Sequence, residues 1–201
     1  MKVTIIDYGA GNVPSVERAL QRLGADTQRT NIADDVAAAR ALVLPGVGHF
    51  AALMRALGTQ NIRAALISAI QKGVPYLGIC LGLQALFESS EEAPGLKGLG
   101  LLSGNVSALP ANVKLPHMGW NQIAAKLDSK LLQGIDPAAY FYFAHSYAAL
   151  RSNGSTIATC CHGTSFAAVV EAQNIFGVQF HPEKSGDAGA RVLENFLRIA
   201  A

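Results

Sequence analysis

The sequence predicts an α/β fold built on a central, mostly parallel sheet flanked by helices, with an additional antiparallel portion in the C-terminal half. Three observations carry this. Over residues 1–90, short apolar runs alternate with amphipathic ones, the pattern of strand–helix units that feed a parallel sheet. From about residue 95 glycines and turn residues multiply, and "YFYFAHSY", "TIATCC", "SFAAVVEA" and "NIFGVQF" are rich in β-branched and aromatic residues with no long helix between them. The chain then closes on a helical pattern, with Val192, Leu193, Phe196 and Leu197 on an apolar stripe and Arg191, Glu194, Asn195 and Arg198 on a polar one.

The elements follow in order. "KVTII" reads as the first strand, and Val13, Val16, Leu20 and Leu23 then recur at helical spacing while Glu17, Arg18, Gln21 and Arg22 take the other face. "DTQRT" is a weakly signalled second strand, and "ALVLPG" at 41–46 a firm one stopped by a Pro-Gly turn. The Ala-rich "DDVAAARAL" between them reads as a helix. Helical patterns around 50–57 and 61–72 precede the buried strand "PYLGI" at 75–79, and "LGLQALFES" reads as a helix that begins immediately after Cys80.

With 201 residues and no repeat or linker, the chain is expected to form one domain over residues 1–201, with a core that needs no disulfide or metal staple. Sixteen basic residues stand against 14 acidic ones, and the net charge of +2 is scattered, so nothing favours a nucleic-acid partner. "MKVTII" reaches Asp7 before a signal-peptide core forms, and the apolar uncharged run at residues 73–87 is shorter than the roughly 18 residues of a spanning helix and holds Gly, Pro and Gln. A soluble, cytoplasmic protein without membrane contact is expected. Three cysteines, two of them adjacent as Cys160 and Cys161, make a poor disulfide framework.

Cys80 is the residue on which function turns. Gly78-Ile79-Cys80-Leu81-Gly82 is a G-x-C-x-G version of the nucleophile elbow, in which a strand turns sharply into a helix and glycines leave room for a strained turn. On this pentapeptide alone, packing and catalysis are equally good readings, because cysteine at an apolar strand end is often a small hydrophobe. A free thiol is only a few per cent thiolate at neutral pH. A helix N-terminus stabilises an anion by roughly 0.3–1 kcal/mol, at best ~2, so a histidine base held by a third group is also required.

Of the five histidines, His49, His117, His145, His162 and His181, the last stands out in "GVQFHPEKS". Pro182 pushes residue 181 to extended geometry, and in a regular strand Glu183 lies on the same face as His181, where it can hold the imidazole. His162 beside Cys160 and Cys161 lacks the spacing of a metal site, so no metal is expected. An oxyanion hole needs backbone N–H donors, and Gly46 and Gly48 of "LPGVGHF" follow a strand end at the sheet edge where Cys80 emerges. An ordinary tight turn fits those two glycines equally well. The opening cluster "DYGAGNVPSV" lacks the third glycine of a dinucleotide loop and is discounted as a nucleotide site.

In that order, "LPGVG", "GICLGLQALFESSEEAPGLKGLG", "LPHMGWN", "YFAHSY" and "GVQFHPEKS" resemble the glutamine amidotransferase subunit of imidazole glycerol phosphate synthase. The elbow and the "HPE" segment mark class I glutamine amidotransferases in general, while "PHMGWN", the opening "DYGAGN" and the length are similar to this subunit in particular. The resemblance implies the flavodoxin-like, three-layer class I fold and no cofactor. It also implies hydrolysis of L-glutamine to glutamate and ammonia by a Cys80, His181 and Glu183 triad. By position, the N–H groups of Gly48 and Leu81 make the oxyanion hole, after a flip of the Val47–Gly48 peptide, and Gln84, Glu92, Ser146 and Tyr147 bind glutamine.

The same resemblance implies a partner, a (β/α)8-barrel cyclase subunit that receives the ammonia, with Asn12, Trp120, Tyr142 and Lys184 at or near the interface. Core packing is the competing reading for Trp120 and Tyr142. Pro14 and Ala144 depart from what relatives often carry, without touching the triad. Two other readings stay open at the level of sequence: a cysteine hydrolase or different amidotransferase using the same elbow, and a non-catalytic subunit that retains the fold.

Overall fold

The computed structural model describes residues 1–10, 12–59, 61–125, 128–150 and 154–201; Gly11 of the opening glycine cluster lies outside the described residues. In chain order the N-terminal half comprises β1 (Lys2–Ile6), α1 (Val13–Arg22), β2 (Asp26–Thr30), α2 (Ala33–Ala37), β3 (Leu42–Gly46), α3 (Phe50–Thr59), α4 (Ile62–Gln71), β4 (Tyr76–Cys80) and α5 (Leu81–Gln84). The remainder comprises β5 (Ser89–Ser90), β6 (Asn105–Ala108), β7 (His117–Gln122), β8 (Ala124–Ala125), β9 (Tyr140–His145), β10 (Tyr147–Ala149), β11 (Thr156–His162), β12 (Thr164–Ala172), β13 (Ile175–Val178), a 3-10 turn (Pro182–Lys184) and α6 (Gly186–Ile199).

The main sheet has the order β2-β1-β3-β4-β13-β12-β11-β8. Its first five strands are mutually parallel, and β12, β11 and β8 extend it by antiparallel pairing. Side chains alternate between two cores because the strand period is two. Val43 joins the core that includes Val16 and Leu20 of α1 with Val192, Leu193 and Phe196 of α6, whereas Leu42 and Leu44 join the core that includes Leu53 of α3 and Leu66 of α4. Helices therefore cover both faces, giving three layers, and the strands read as near-continuous apolar runs. A three-stranded sheet β10-β6-β5 and an antiparallel ribbon β7–β9 complete the structure.

Four local expectations are corrected. The helix after Cys80 lasts one turn, Leu81–Gln84. Residues 81–87 are all buried, so the segment has no polar face to carry a longer surface helix. Its next carbonyls are taken from elsewhere, Ala85 by the Leu99 amide and Leu86 by those of Leu101 and Leu102. The Ala-rich helix ends at Ala37, because the chain must turn back to start β3 at Leu42. His181 and Glu183 do not share a strand: β13 ends at Val178, and Glu183 lies in the 3-10 turn that Pro182 begins. Asn195 is buried, its amide donating to the carbonyls of Leu131 and Gln133, so it anchors a loop instead of facing water.

No helix among the described residues is long and apolar enough to cross a membrane. What positions the site is the register of three adjacent parallel strands, with Gly46 of β3 opposite Cys80 of β4, and Val178 of β13 opposite Ile79. The loops after β3, β4 and β13 therefore leave one carboxyl edge side by side, where open α/β sheets gather their sites.

Gly82 is required by close approach, since a Cβ there would overlap the Leu44 carbonyl, whereas one on Gly58 in α3 would meet open space. We expect Gly82→Ala to lower the unfolding free energy by about 1–3 kcal/mol and Gly58→Ala to raise it by roughly 0.5–1 kcal/mol, both read from urea denaturation midpoints.

Candidate active site

Cys80 occupies the turn itself. Its φ of 53° and ψ of −106° place a non-glycine residue at positive φ, a strained conformation at the junction of β4 and α5. The flanking glycines serve packing: a Cβ on Gly78 would come within 2.5 Å of the Gly82 carbonyl oxygen, and one on Gly82 would strike Leu44. The elbow is thus folded tightly on itself at Gly78 and pressed against β3 at Gly82, and Cys80 is only 5% exposed. Leu81 opens the one-turn helix, so its N–H has no partner within that helix and belongs to the sulfur's side of the turn.

The segment after β13 carries His181 just before the 3-10 turn and Glu183 within it. His181 Nδ1 lies 2.9 Å from Glu183 Oε1, with both side chains almost fully buried. Glu183 Oε1 also accepts from Asn12 Nδ2 at 2.9 Å, while its Oε2 is buried without a hydrogen-bond partner among the described residues. With Nδ1 committed to the carboxylate, the interaction of His181 with Cys80 falls to Nε2. Burial acts to lower the His181 pKa, but the hydrogen bonds to Cys80 and Glu183 and their charges outweigh it and push it up to about 10. Glu183 is displaced the other way: burial acts to raise its pKa, and His181 and Asn12 overcome this, holding the carboxyl below its ordinary range.

The backbone of His181 is clamped as well. Its N–H donates to the Tyr142 carbonyl at 2.8 Å, and Ser185 Oγ donates to the His181 carbonyl at 2.7 Å while accepting from the Tyr142 N–H at 2.9 Å. The base is held on two sides by β9.

A narrow slot of about 70 Å³ opens beside the sulfur, lined by Val47, Gly48, Cys80, Leu81, Gln84 and Glu92 together with residues 144–147. It brings together six expected positions beside the nucleophile: Gly48, Leu81, Gln84, Glu92, Ser146 and Tyr147. Glu92 Oε2 accepts from the Phe50 N–H at the start of α3 at 2.7 Å, which fixes the carboxylate at the slot and suits it to an ammonium group. A larger depression of about 780 Å³, lined by residues such as Ile123, Lys130 and Phe141, holds none of the expected site residues. The chemistry, not the size, identifies the slot.

The remaining expected positions separate. Trp120 is 56% exposed on β7 with Tyr142 edge-on at 6.0 Å, and Lys184 Nζ lies 5.7 Å from the Tyr142 ring centroid, so core packing does not account for Trp120. Asn12 instead reaches inward to Glu183. Sequence reasoning missed three residues. Gln179 Nε2 lies 3.5 Å from the sulfur, Tyr8 Oη donates to the Val47 carbonyl and accepts from the Val47 N–H at 3.1 and 3.2 Å, and Ser185 forms the clamp described above. Only Gln179 left a trace, as the residue two before His181 in a strand whose pairing with β4 was not readable.

This geometry suits acyl transfer. A cysteine sulfur at the elbow, an imidazole beside it and a carboxylate behind the imidazole have the arrangement that a nucleophile, its acid/base and an orienting group require. Consuming the sulfur in a covalent bond would remove the interactions with Cys80 that help hold the proton on His181, making the ring a better acid for a leaving amine.

A family model described as glutamine amidotransferase class-I matches residues 4–200. The chain is 48% identical over 197 residues to the imidazole glycerol phosphate synthase subunit HisH of Methanothermobacter thermautotrophicus, covering 98% of each. It is 47% identical over 195 residues to the HisH of Moorella thermoacetica, covering 96% of this chain and 93% of that one. Among solved structures, one described as a glutamine amidotransferase superposes with a TM-score of 0.80 at 18% identity over 98% of each chain. PurLQS from Thermotoga maritima superposes with a TM-score of 0.77 at 18% identity over 100% of this chain and 99% of that one. At these identities the two structures show the fold alone. The chain belongs to the class-I glutamine amidotransferases and, within them, to the family of imidazole glycerol phosphate synthase subunit HisH.

The raised pKa of His181 has a sign. Its folded value near 10 exceeds the ordinary 6.5, so the imidazolium contributes stability that is complete below about pH 6.5 and is lost as pH rises toward 10. We expect ring NMR signals of His181 to report imidazolium at neutral pH, with a midpoint that falls in Cys80→Ala because the interactions with the Cys80 sulfur are gone.

Proposed function

We propose that the chain is the glutaminase subunit of imidazole glycerol phosphate synthase, hydrolysing L-glutamine and passing the ammonia to a cyclase partner. The observation that carries this reading is the strained Cys80 elbow with His181 and Glu183 behind it, opening on a slot lined by Gly48, Gln84, Glu92, Ser146 and Tyr147.

In the proposed cycle the Cys80 thiolate attacks the side-chain carbonyl of glutamine. The oxyanion is met by the N–H groups of Gly48 and Leu81, donors whose individual loss costs on the order of a hundredfold to a thousandfold in rate. His181 gives its proton to the amide nitrogen, ammonia leaves, and a γ-glutamyl thioester remains. The now neutral His181 takes a proton from water, hydroxide adds to the thioester, and glutamate departs as the thiolate and imidazolium are restored. The sum is glutamine plus water to glutamate plus ammonia. Glu183 orients His181 throughout, Glu92 receives the substrate ammonium, and Gln84, Ser146 and Tyr147 line the rest of the substrate. No cofactor enters any step.

Ammonia released into bulk water becomes mostly ammonium and loses its nucleophilic lone pair, so the proposed assembly delivers it through a tunnel into a (β/α)8-barrel cyclase. There it reacts with PRFAR to give imidazole glycerol phosphate and AICAR, in the cytoplasm. The exposed Trp120, with Tyr142 and Lys184 beside it, supports a docking face on β7 and β9. Asn12 acts from just behind that face through Glu183.

Two outcomes test the proposal. Cys80→Ala abolishes glutamine-dependent synthesis by the assembled enzyme and preserves synthesis from added ammonium salt; residual glutaminase turnover in that variant would sink the mechanism. Trp120→Ala weakens association with the cyclase subunit at least tenfold in calorimetry, as expected for an aromatic anchor; unchanged affinity removes Trp120 from the interface.

A further inference from the structure

From the inner face of β7 to the slot runs a chain of hydrogen bonds that begins with two rings the reaction cycle does not use. His117 on β7 and His145 at the end of β9 are paired residues of the ribbon, both buried, and His117 Nδ1 lies 3.0 Å from His145 Nε2. Two ring nitrogens at that distance share one proton, so one donates and the other accepts. The neighbours decide which.

His145 Nδ1 lies 2.9 Å from the Tyr147 carbonyl, which only accepts, so Nδ1 carries the proton and a neutral His145 has a bare Nε2. His117 Nδ1 is then the donor, and its bare Nε2 accepts from Asn121 Nδ2 at 3.3 Å. His162, stacked on His117 at 4.3 Å, donates from Nε2 to the Lys114 carbonyl at 2.8 Å. Burial, as the leading cause, pushes His117 down to about 4 and His145 down to about 3, which keeps both neutral.

The chain continues past the carbonyl. Gln84 Nε2 also donates to the Tyr147 carbonyl, at 2.7 Å, and to Gln179 Oε1 at 3.2 Å, while Gln179 Nε2 approaches Cys80 Sγ at 3.5 Å. Both Gln84 amide hydrogens are thereby used, which leaves its carbonyl oxygen as the acceptor the side chain offers to the slot.

We propose that His117 and His145 are positioning residues for the glutamine site: a neutral imidazole pair, fixed in its tautomers by Asn121 and the Tyr147 carbonyl, that holds this carbonyl and so sets which end of the Gln84 amide faces the substrate. Neither ring touches the reacting atoms or exchanges a proton with them. If the Tyr147 carbonyl, at the first residue of β10, loses its imidazole donor, it is held on that side by Gln84 alone, the Gln84 amide is less firmly fixed, and the slot's acceptor for a substrate N–H is less well placed. The loss falls on binding of the bound amino acid, with little change in the acid–base work of His181.

This inference rests on the glutaminase reading of the slot, and its test separates the two. Ring nitrogen NMR of the unaltered subunit is expected to show both His117 and His145 protonated at Nδ1 and bare at Nε2 at neutral pH; a His145 protonated at Nε2 overturns the relay. That measurement needs neither a variant nor activity. In glutaminase assays on the assembled synthase, His145→Phe should raise KM for glutamine about tenfold with kcat within about threefold. His145→Asn, whose amide nitrogen replaces Nδ1, should return KM to within about threefold of the unaltered enzyme, the scale of one restored hydrogen bond. Equal impairment in both variants, an unchanged KM in His145→Phe, or a fall confined to kcat each overturns the relay. Absence of glutamine hydrolysis by the unaltered enzyme overturns the glutaminase reading, and the ring tautomers then decide the relay alone.

Discussion

The site depends on the registered pairing of β3, β4 and β13. Gly46 opposite Cys80 and Val178 opposite Ile79 mean that the glycine loop, the nucleophile and the segment that carries the base leave the sheet at one level. A slip of one residue in β4 would turn its side chains to the opposite faces of the sheet. The register is protected by two-sided burial: every residue of β3 and β4 is buried, so any slip exchanges the contents of both cores at once. The strained backbone at Cys80 persists because this surrounding structure over-determines it.

The electrostatics are built on the same frame. Burying an imidazolium and a carboxylate is costly unless each is paired and hydrogen-bonded. Here Glu183 Oε1 serves two donors, His181 and Asn12, while Oε2 has none among the described residues. The compensation is concentrated on one oxygen, and Asn12 stands just before α1, far from His181 in sequence. Glu183 is therefore secured by the first strand–helix unit as well as by its own turn.

Much of this was legible in the sequence, for definite reasons. The parallel sheet could be read because two-sided burial leaves apolar runs, and the elbow because close packing admits no Cβ at Gly78 and Gly82. The helix after Cys80 was misjudged because an all-apolar segment has no periodicity to mark its end. Asn195 was misassigned because a polar residue at a polar helical position gives no hint that two loop carbonyls wait for it. Tyr8, Gln179 and the histidine pair were invisible for a different reason. Their roles depend on partners from distant segments, brought close by pairings that periodicity does not specify.

The clamp around His181 has a mechanical side. The nucleophile belongs wholly to the parallel sheet, but the base is fastened twice to Tyr142 of the ribbon, directly and through Ser185. The imidazole, which leaves the same sheet after β13, is thus tied to both sheet and ribbon, and its approach to the sulfur depends on both. Trp120, exposed on that same ribbon, pairs directly with Tyr142, so a residue that meets solvent stands one strand away from the backbone that fastens His181.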